Sequence, residues 1–88
     1  MFKVVLLNDD YTPMEFVVQV LQKFFHFNYE EAHHLTMEIH EFGKGVCGTF
    51  SKDIAETRAT SVNRHSRLQK HPLLCVIEPD GGAGKHAE

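Results

Sequence analysis

F-K-V-V-L-L-N-D-D-Y-T-P-M-E-F-V-V (residues 2–18) decides the fold. Its first part is short, β-branched-rich and apolar almost without a break, which is the pattern of a buried strand. N-D-D-Y then interrupts it with three polar residues, two of them acidic. T-P-M-E follows as a helix start. Thr12 can cap, Pro13 suits the first helical position, and Glu15 falls three residues after the cap, as in a capping box. Met14, Val17, Val18, Leu21, Phe24 and Phe25 recur at helical spacing, and the helix should end near F-H-F-N (25–28).

The rest of the chain extends this beginning. Asn28 opens a second helix with Glu31 three residues on, Ala32, Leu35 and Ile39 make its apolar stripe, and Gly43 is its natural stop. V-C-G-T-F (46–50) reads as a second strand. Ser51 caps a third helix, and its stripe of Ala55, Ala59 and Val62 is small enough to let that helix lie close to a sheet. K-H-P-L-L-C-V-I-E (70–78) ends the helix at Pro72 and supplies a third strand. The order βααβαβ predicts an α+β fold, a small two-layer sandwich with a three-stranded sheet packed by three helices. Residues 1–79 are expected to form one core domain. Residues 80–88, D-G-G-A-G-K-H-A-E, lack apolar periodicity and are expected to form a flexible C-terminal tail.

Composition narrows the function classes. A chain of 88 residues is one domain, and 42% hydrophobic content suits a globular one. The net charge is −3 and there is no basic block, so the electrostatic footprint of nucleic-acid binding is missing. No apolar run approaches ~18 residues, so no membrane span is expected. The start carries no secretory pattern. Cys47 and Cys75 lie far apart in apolar stretches and read as buried free thiols in a reducing cytoplasm, not as a disulfide framework.

The sequence contains seven histidines, which invites a metal reading. His33, His34 and His40 fall on the second helix, but His33 and His40 stand about 10 Å apart along its axis, too far to clamp one ion. His65 and His71 lack partners at useful spacing. No nucleophile motif and no glycine-rich phosphate loop is present, so neither metal, cofactor nor catalytic role is expected. Asp9 and Asp10 are explained by turn formation alone, and His40 by an ordinary half-buried histidine near a helix end. Their positions permit more. Asn8 and Asp9 end the first strand, Met14 and Val17 lie on the first helix, and Thr36, Ile39 and His40 share one face of the second. If the two helices pack as a hairpin, those faces enclose a small apolar pocket rimmed by Asn8, Asp9 and His40.

Five blocks carry a family resemblance: V-V-L-L-N-D-D-Y-T-P-M-E-F-V (4–17), His40, G-V-C-G-T-F (45–50), A-E-T-R (55–58) and H-P-L-L-C (71–75). Together they resemble ClpS, the adaptor family that delivers N-degron substrates to the Clp AAA+ protease, over about residues 2–78. The resemblance implies a non-enzymatic adaptor. In it, Asn8, Asp9 and His40 would hold the α-amino group and first peptide unit of a substrate. Leu6, Thr12, Met14, Val17, Thr36, Ile39 and Leu73 would line or rim a pocket for an N-terminal Leu, Phe, Tyr or Trp, with Met14 as a gate against β-branched side chains. Asp53 and Arg58 match positions used to dock on the N-terminal domain of a ClpA-type unfoldase. A solvated helix face explains those two equally well.

Two departures stand out. The family pocket usually has Met where this chain has Thr36, which changes pocket volume and polarity. Family members also carry an extension before the first strand that the protease engages, whereas here only Met1 precedes Phe2, so binding without efficient delivery is expected. The competing reading is a helix-face interaction module of the ribosomal-stalk C-terminal-domain type, in which Asn8 and Asp9 are mere turn residues. A His-dependent hydrolase or metal protein is a third.

Overall fold

The computed structural model describes residues 1–81. Its elements are β1 (Phe2–Leu7), α1 (Met14–Phe25), α2 (Tyr29–Phe42), β2 (Lys44–Phe50), α3 (Lys52–Leu68) and β3 (Leu74–Pro79), in the expected βααβαβ order. The sheet runs β2-β1-β3, with β1 central and antiparallel to both neighbours. Strand β1 is buried on both faces, which is why it lacks a clean alternation. Val4 and Leu6 join the core beneath the helices, while Val5 points to the other face between Val46 and Val76.

Helix boundaries follow local chemistry. Asn28 caps α2 as expected: its Oδ1 accepts from the Glu31 N–H at 2.8 Å, and Glu31 Oε1 accepts from the Asn28 N–H at 3.1 Å. Gly43 ends α2 with φ +93°, a left-handed conformation that favours glycine, and its N–H donates to the Ile39 carbonyl. Helix α1 stops at His26, which adopts φ +61° without a glycine to signal it. Ser51 stands at the N-cap of α3 but makes no side-chain capping bond. Ala55, Ala59 and Val62 are buried against the sheet, as the small-residue stripe predicts.

Three expectations are corrected. Thr12 does not cap α1. The N-cap is Pro13, and the Thr12 hydroxyl instead donates to Asp9 Oδ2 at 2.8 Å. The second strand starts at Lys44, two residues earlier than expected, and the third at Leu74, not Lys70. Lys70 takes φ +64° and the His71 N–H returns to the Ser66 carbonyl, so residues 70–73 form a turn leaving α3. The Asp80 N–H donates to the Met1 carbonyl, continuing the chain past β3. Most of the expected tail, residues 82–88, lies outside the described residues.

Strand β3 is an edge strand, and its outer side is closed by a side chain. Asn63 on α3 donates from Nδ2 to the Cys75 carbonyl at 2.9 Å and accepts from the Cys75 N–H at 2.7 Å. Satisfying both groups removes a template for pairing with another chain. Both cysteines are free and buried; burial pushes the Cys75 thiol up to about 12 and Cys47 higher still, so neither is a thiolate at neutral pH.

Gly45 sets how closely α2 approaches β2. A Cβ there would lie 2.6 Å from Ile39 Cγ1 and 3.0 Å from Leu35 Cδ1. Gly45→Ala should therefore cost about 1–3 kcal/mol in urea unfolding, by overpacking. Unchanged stability would mean that α2 has room to shift.

Candidate functional site

The site begins where β1 ends. The Asn8 N–H donates to the Gly43 carbonyl at 2.9 Å. That bond ties the loop after β1 to the C-terminal end of α2, whose last turn carries His40. Asn8 and His40 are both exposed, so their polar ends are open to a ligand, while Asp9 is half-buried.

Asp9 organises its own loop. Its Oδ1 accepts from the N–H groups of Tyr11 at 2.8 Å and Thr12 at 2.7 Å, and its Oδ2 accepts from the Thr12 hydroxyl. Burial pushes the Asp9 carboxyl up. The bonds from Thr12 and Tyr11, with the positive charge of His71, outweigh that and hold it below its ordinary 3.8. Asp9 is therefore anionic at neutral pH. A carboxylate has about four acceptor positions, so these three bonds leave one on Oδ2 for a further donor. The turn reading of Asp9 is thus correct as far as it goes, and it does not exhaust the group.

The expected pocket residues come from five parts of the chain, Thr12 being in the loop between β1 and α1. Leu6 on β1, Val17 on α1, Thr36 and Ile39 on α2, and Leu73 before β3 are all buried. Thr12 is half-buried and Met14 is 39% exposed, which suits them to a rim. His71 packs its ring 4.4 Å from that of Phe16 and contributes to the lowered Asp9 pKa, so the turn carrying Leu73 lies beside the Asp9 loop. Sequence reasoning missed His71, because nothing local links it to Asp9.

It also missed a groove of about 460 Å³ between α1 and α2. Met14, Val18 and Gln22 line one side, and Tyr29, His33, Thr36 and Met37 the other. Met14 and Thr36 belong to both the expected pocket and this groove. The helical repeats Met14–Val18–Gln22 and Tyr29–His33–Met37 are the signal that could have found it. A second groove of about 490 Å³, between the end of α1 and α3, is lined by Lys23, Phe24, Arg64 and His65 among others and contains none of the expected site residues.

Asp53 and Arg58 differ in their surroundings. Asp53 is exposed in the first turn of α3. Arg58 donates from Nη1 to the Phe24 carbonyl at 3.1 Å and lies 5.1 Å over the Phe50 ring, so it also closes the end of α1. Among the described residues no three His, Cys, Asp or Glu side chains converge as a metal site. No described helix is long and apolar enough to cross a membrane.

A small α+β domain with an anionic loop held against the end of a helix pair has the form of a binding module. Its family is specific: residues 1–76 match the family described as ATP-dependent Clp protease adaptor protein ClpS, and the chain belongs to it. Over 78 residues it is 55% identical to the ATP-dependent Clp protease adapter protein ClpS of Sodalis glossinidius (strain morsitans), covering 89% of this chain and 74% of that protein. The structure of Agrobacterium tumefaciens ClpS2 bound to L-phenylalaninamide matches with a TM-score of 0.88 at 39% identity, covering 90% of this chain and 95% of that one. Membership in an adaptor family sets aside the ribosomal-stalk type of module.

Proposed function

We propose that this chain is a cytoplasmic adaptor that binds proteins with a free N-terminal Leu, Phe, Tyr or Trp and hands them to a ClpA-type AAA+ unfoldase of the Clp protease. It acts by binding alone. The observation that carries this reading is the relative's ligand. L-phenylalaninamide is an α-amine, one aromatic side chain and one amide, the minimal copy of a protein's first residue.

The roles follow from chemistry. The substrate's ammonium has three donors. Asp9 offers it a charge and one free acceptor position, Asn8 a carbonyl acceptor, and His40 a ring nitrogen or a held water. Leu6, Val17, Thr36, Ile39 and Leu73 would surround the first side chain, with Thr12 and Met14 at the mouth. Charge-assisted bonds contribute about 1.5–3 kcal/mol each and burial of a Leu or Phe side chain roughly as much. The cost of ordering a flexible peptide offsets part of this, leaving affinity around the micromolar range, weak enough for release. The exposed Asp53, with Arg58 beyond it on α3, would meet the unfoldase's N-terminal domain. Buried free thiols suit a reducing compartment.

A binding panel of peptides differing only in their first residue tests the reading. Tight binding confined to Leu, Phe, Tyr and Trp is expected, and indifference to that residue would contradict it. Met14→Ala should widen the mouth and lower the preference for Phe over Val by about tenfold, the scale on which apolar pockets sort single methyl groups. Unchanged selectivity against Val would put the gate elsewhere.

A further inference from the structure

Thr36 is 2% exposed, and its Oγ1 donates to the Ala32 carbonyl at 2.7 Å. A hydroxyl has one hydrogen and two acceptor lone pairs. With its hydrogen committed inside α2, Thr36 can offer a ligand only an acceptor. Thr36 lines the α1–α2 groove together with Met14 and the apolar Val18 and Met37. The other polar side chains of that groove, Glu15, Gln19, Gln22, Tyr29 and His33, are exposed, whereas Thr36 is buried.

We infer that the first-residue pocket opens past Thr36 into the α1–α2 groove, and that Thr36 Oγ1 accepts a hydrogen bond from an aromatic first residue with a polar tip, Tyr or Trp. This rests on the N-terminal-residue reading above and sharpens its substrate class. The phenol O–H of Tyr and the indole N–H of Trp are donors that lose water on entering an apolar site, and each needs an acceptor there. Thr36 is an acceptor with no hydrogen to spare, so it matches them. Phe and Leu bring no donor and gain nothing from it. A groove of about 460 Å³ also falls in the size range of sites that take a large aromatic group, so the bicyclic indole has space beyond the pocket proper.

The test compares peptides identical except for Phe, Tyr, Trp or Leu at the first position, with an N-acetylated Phe twin, on wild type, Thr36→Val and Thr36→Ser. Valine keeps the shape and removes the oxygen. Serine keeps the oxygen. Thr36→Val should weaken Tyr and Trp relative to Phe and Leu by about threefold to tenfold, the loss of one neutral hydrogen bond. Thr36→Ser should bring Tyr and Trp back relative to Phe. Equal weakening of all four peptides by Thr36→Val, or of none, would overturn the inference and leave Thr36 a packing residue. If wild type binds the acetylated Phe peptide as tightly as the free one, the parent reading fails and this inference falls with it. If acetylation matters but the Tyr-to-Phe ratio does not move between wild type and Thr36→Val, this inference alone fails.

Discussion

Acetylating the N-terminus of a Phe-initiated peptide should weaken its binding by at least a hundredfold in a calorimetric titration. The acetyl group removes the positive charge and leaves one amide hydrogen where three ammonium hydrogens stood. Two lost charge-assisted bonds, at about 1.5–3 kcal/mol each, amount to roughly two to four decades of affinity. The acidity of Asp9 makes the effect this large, since its lowered pKa keeps it charged at neutral pH, where the amine is protonated. An apolar pocket alone would bind the acetylated peptide as well. The same logic excludes an internal Phe, which has no ammonium. It also excludes an N-terminal Lys or Glu, whose charge would enter an apolar site at high cost. Equal affinity for the two peptides would refute recognition of the amine.

Asp9→Asn should cost about tenfold to a hundredfold in affinity, because it removes the charge while preserving most of the loop. An Asn carbonyl can still accept from the Tyr11 and Thr12 N–H groups that Oδ1 now holds. The pH dependence has two limbs. The folded-state pKa of Asp9 is depressed, so its contribution to stability is present above its ordinary value and is lost as pH falls through the lowered one. Binding through Asp9 should fade in that same acidic window, below the ordinary 3.8, and Asp9→Asn should lack this limb. On the alkaline side affinity should fall above about pH 8, where a free peptide amine loses its proton. An affinity that stays constant from neutral pH to strong alkali would show that the protein binds the neutral amine equally well.

The fold was legible because its signals are local. A continuous apolar strand, the Asn28–Glu31 reciprocal cap and the glycine after Phe42 each act within a few residues, and the structure contains all three. Thr12 misled because the helix begins one residue later, with Pro13 at the N-cap, and the Thr12 N–H and hydroxyl donate to the Asp9 carboxylate instead. The start of β3 was misplaced because Lys70 adopts a left-handed turn that its own sequence does not announce. The closing of the sheet edge by Asn63 joins residues of α3 and β3 across a turn, and no periodicity encodes it. The expected site divides in the same way. Asn8, Asp9 and Met14 stand out in one short block, whereas the approach of His71 to Asp9 and the groove beyond Thr36 depend on how whole elements pack.

The most direct measurement is a crystal structure of this protein with a bound Phe-initiated peptide. The peptide's terminal nitrogen should lie within hydrogen-bonding reach, roughly 3 Å, of Asn8 and Asp9 and of His40 or a water it holds, with the Phe ring among Leu6, Val17, Thr36, Ile39 and Leu73. A terminal nitrogen left in solvent, with Asp9 bonded only to Tyr11 and Thr12, would contradict it.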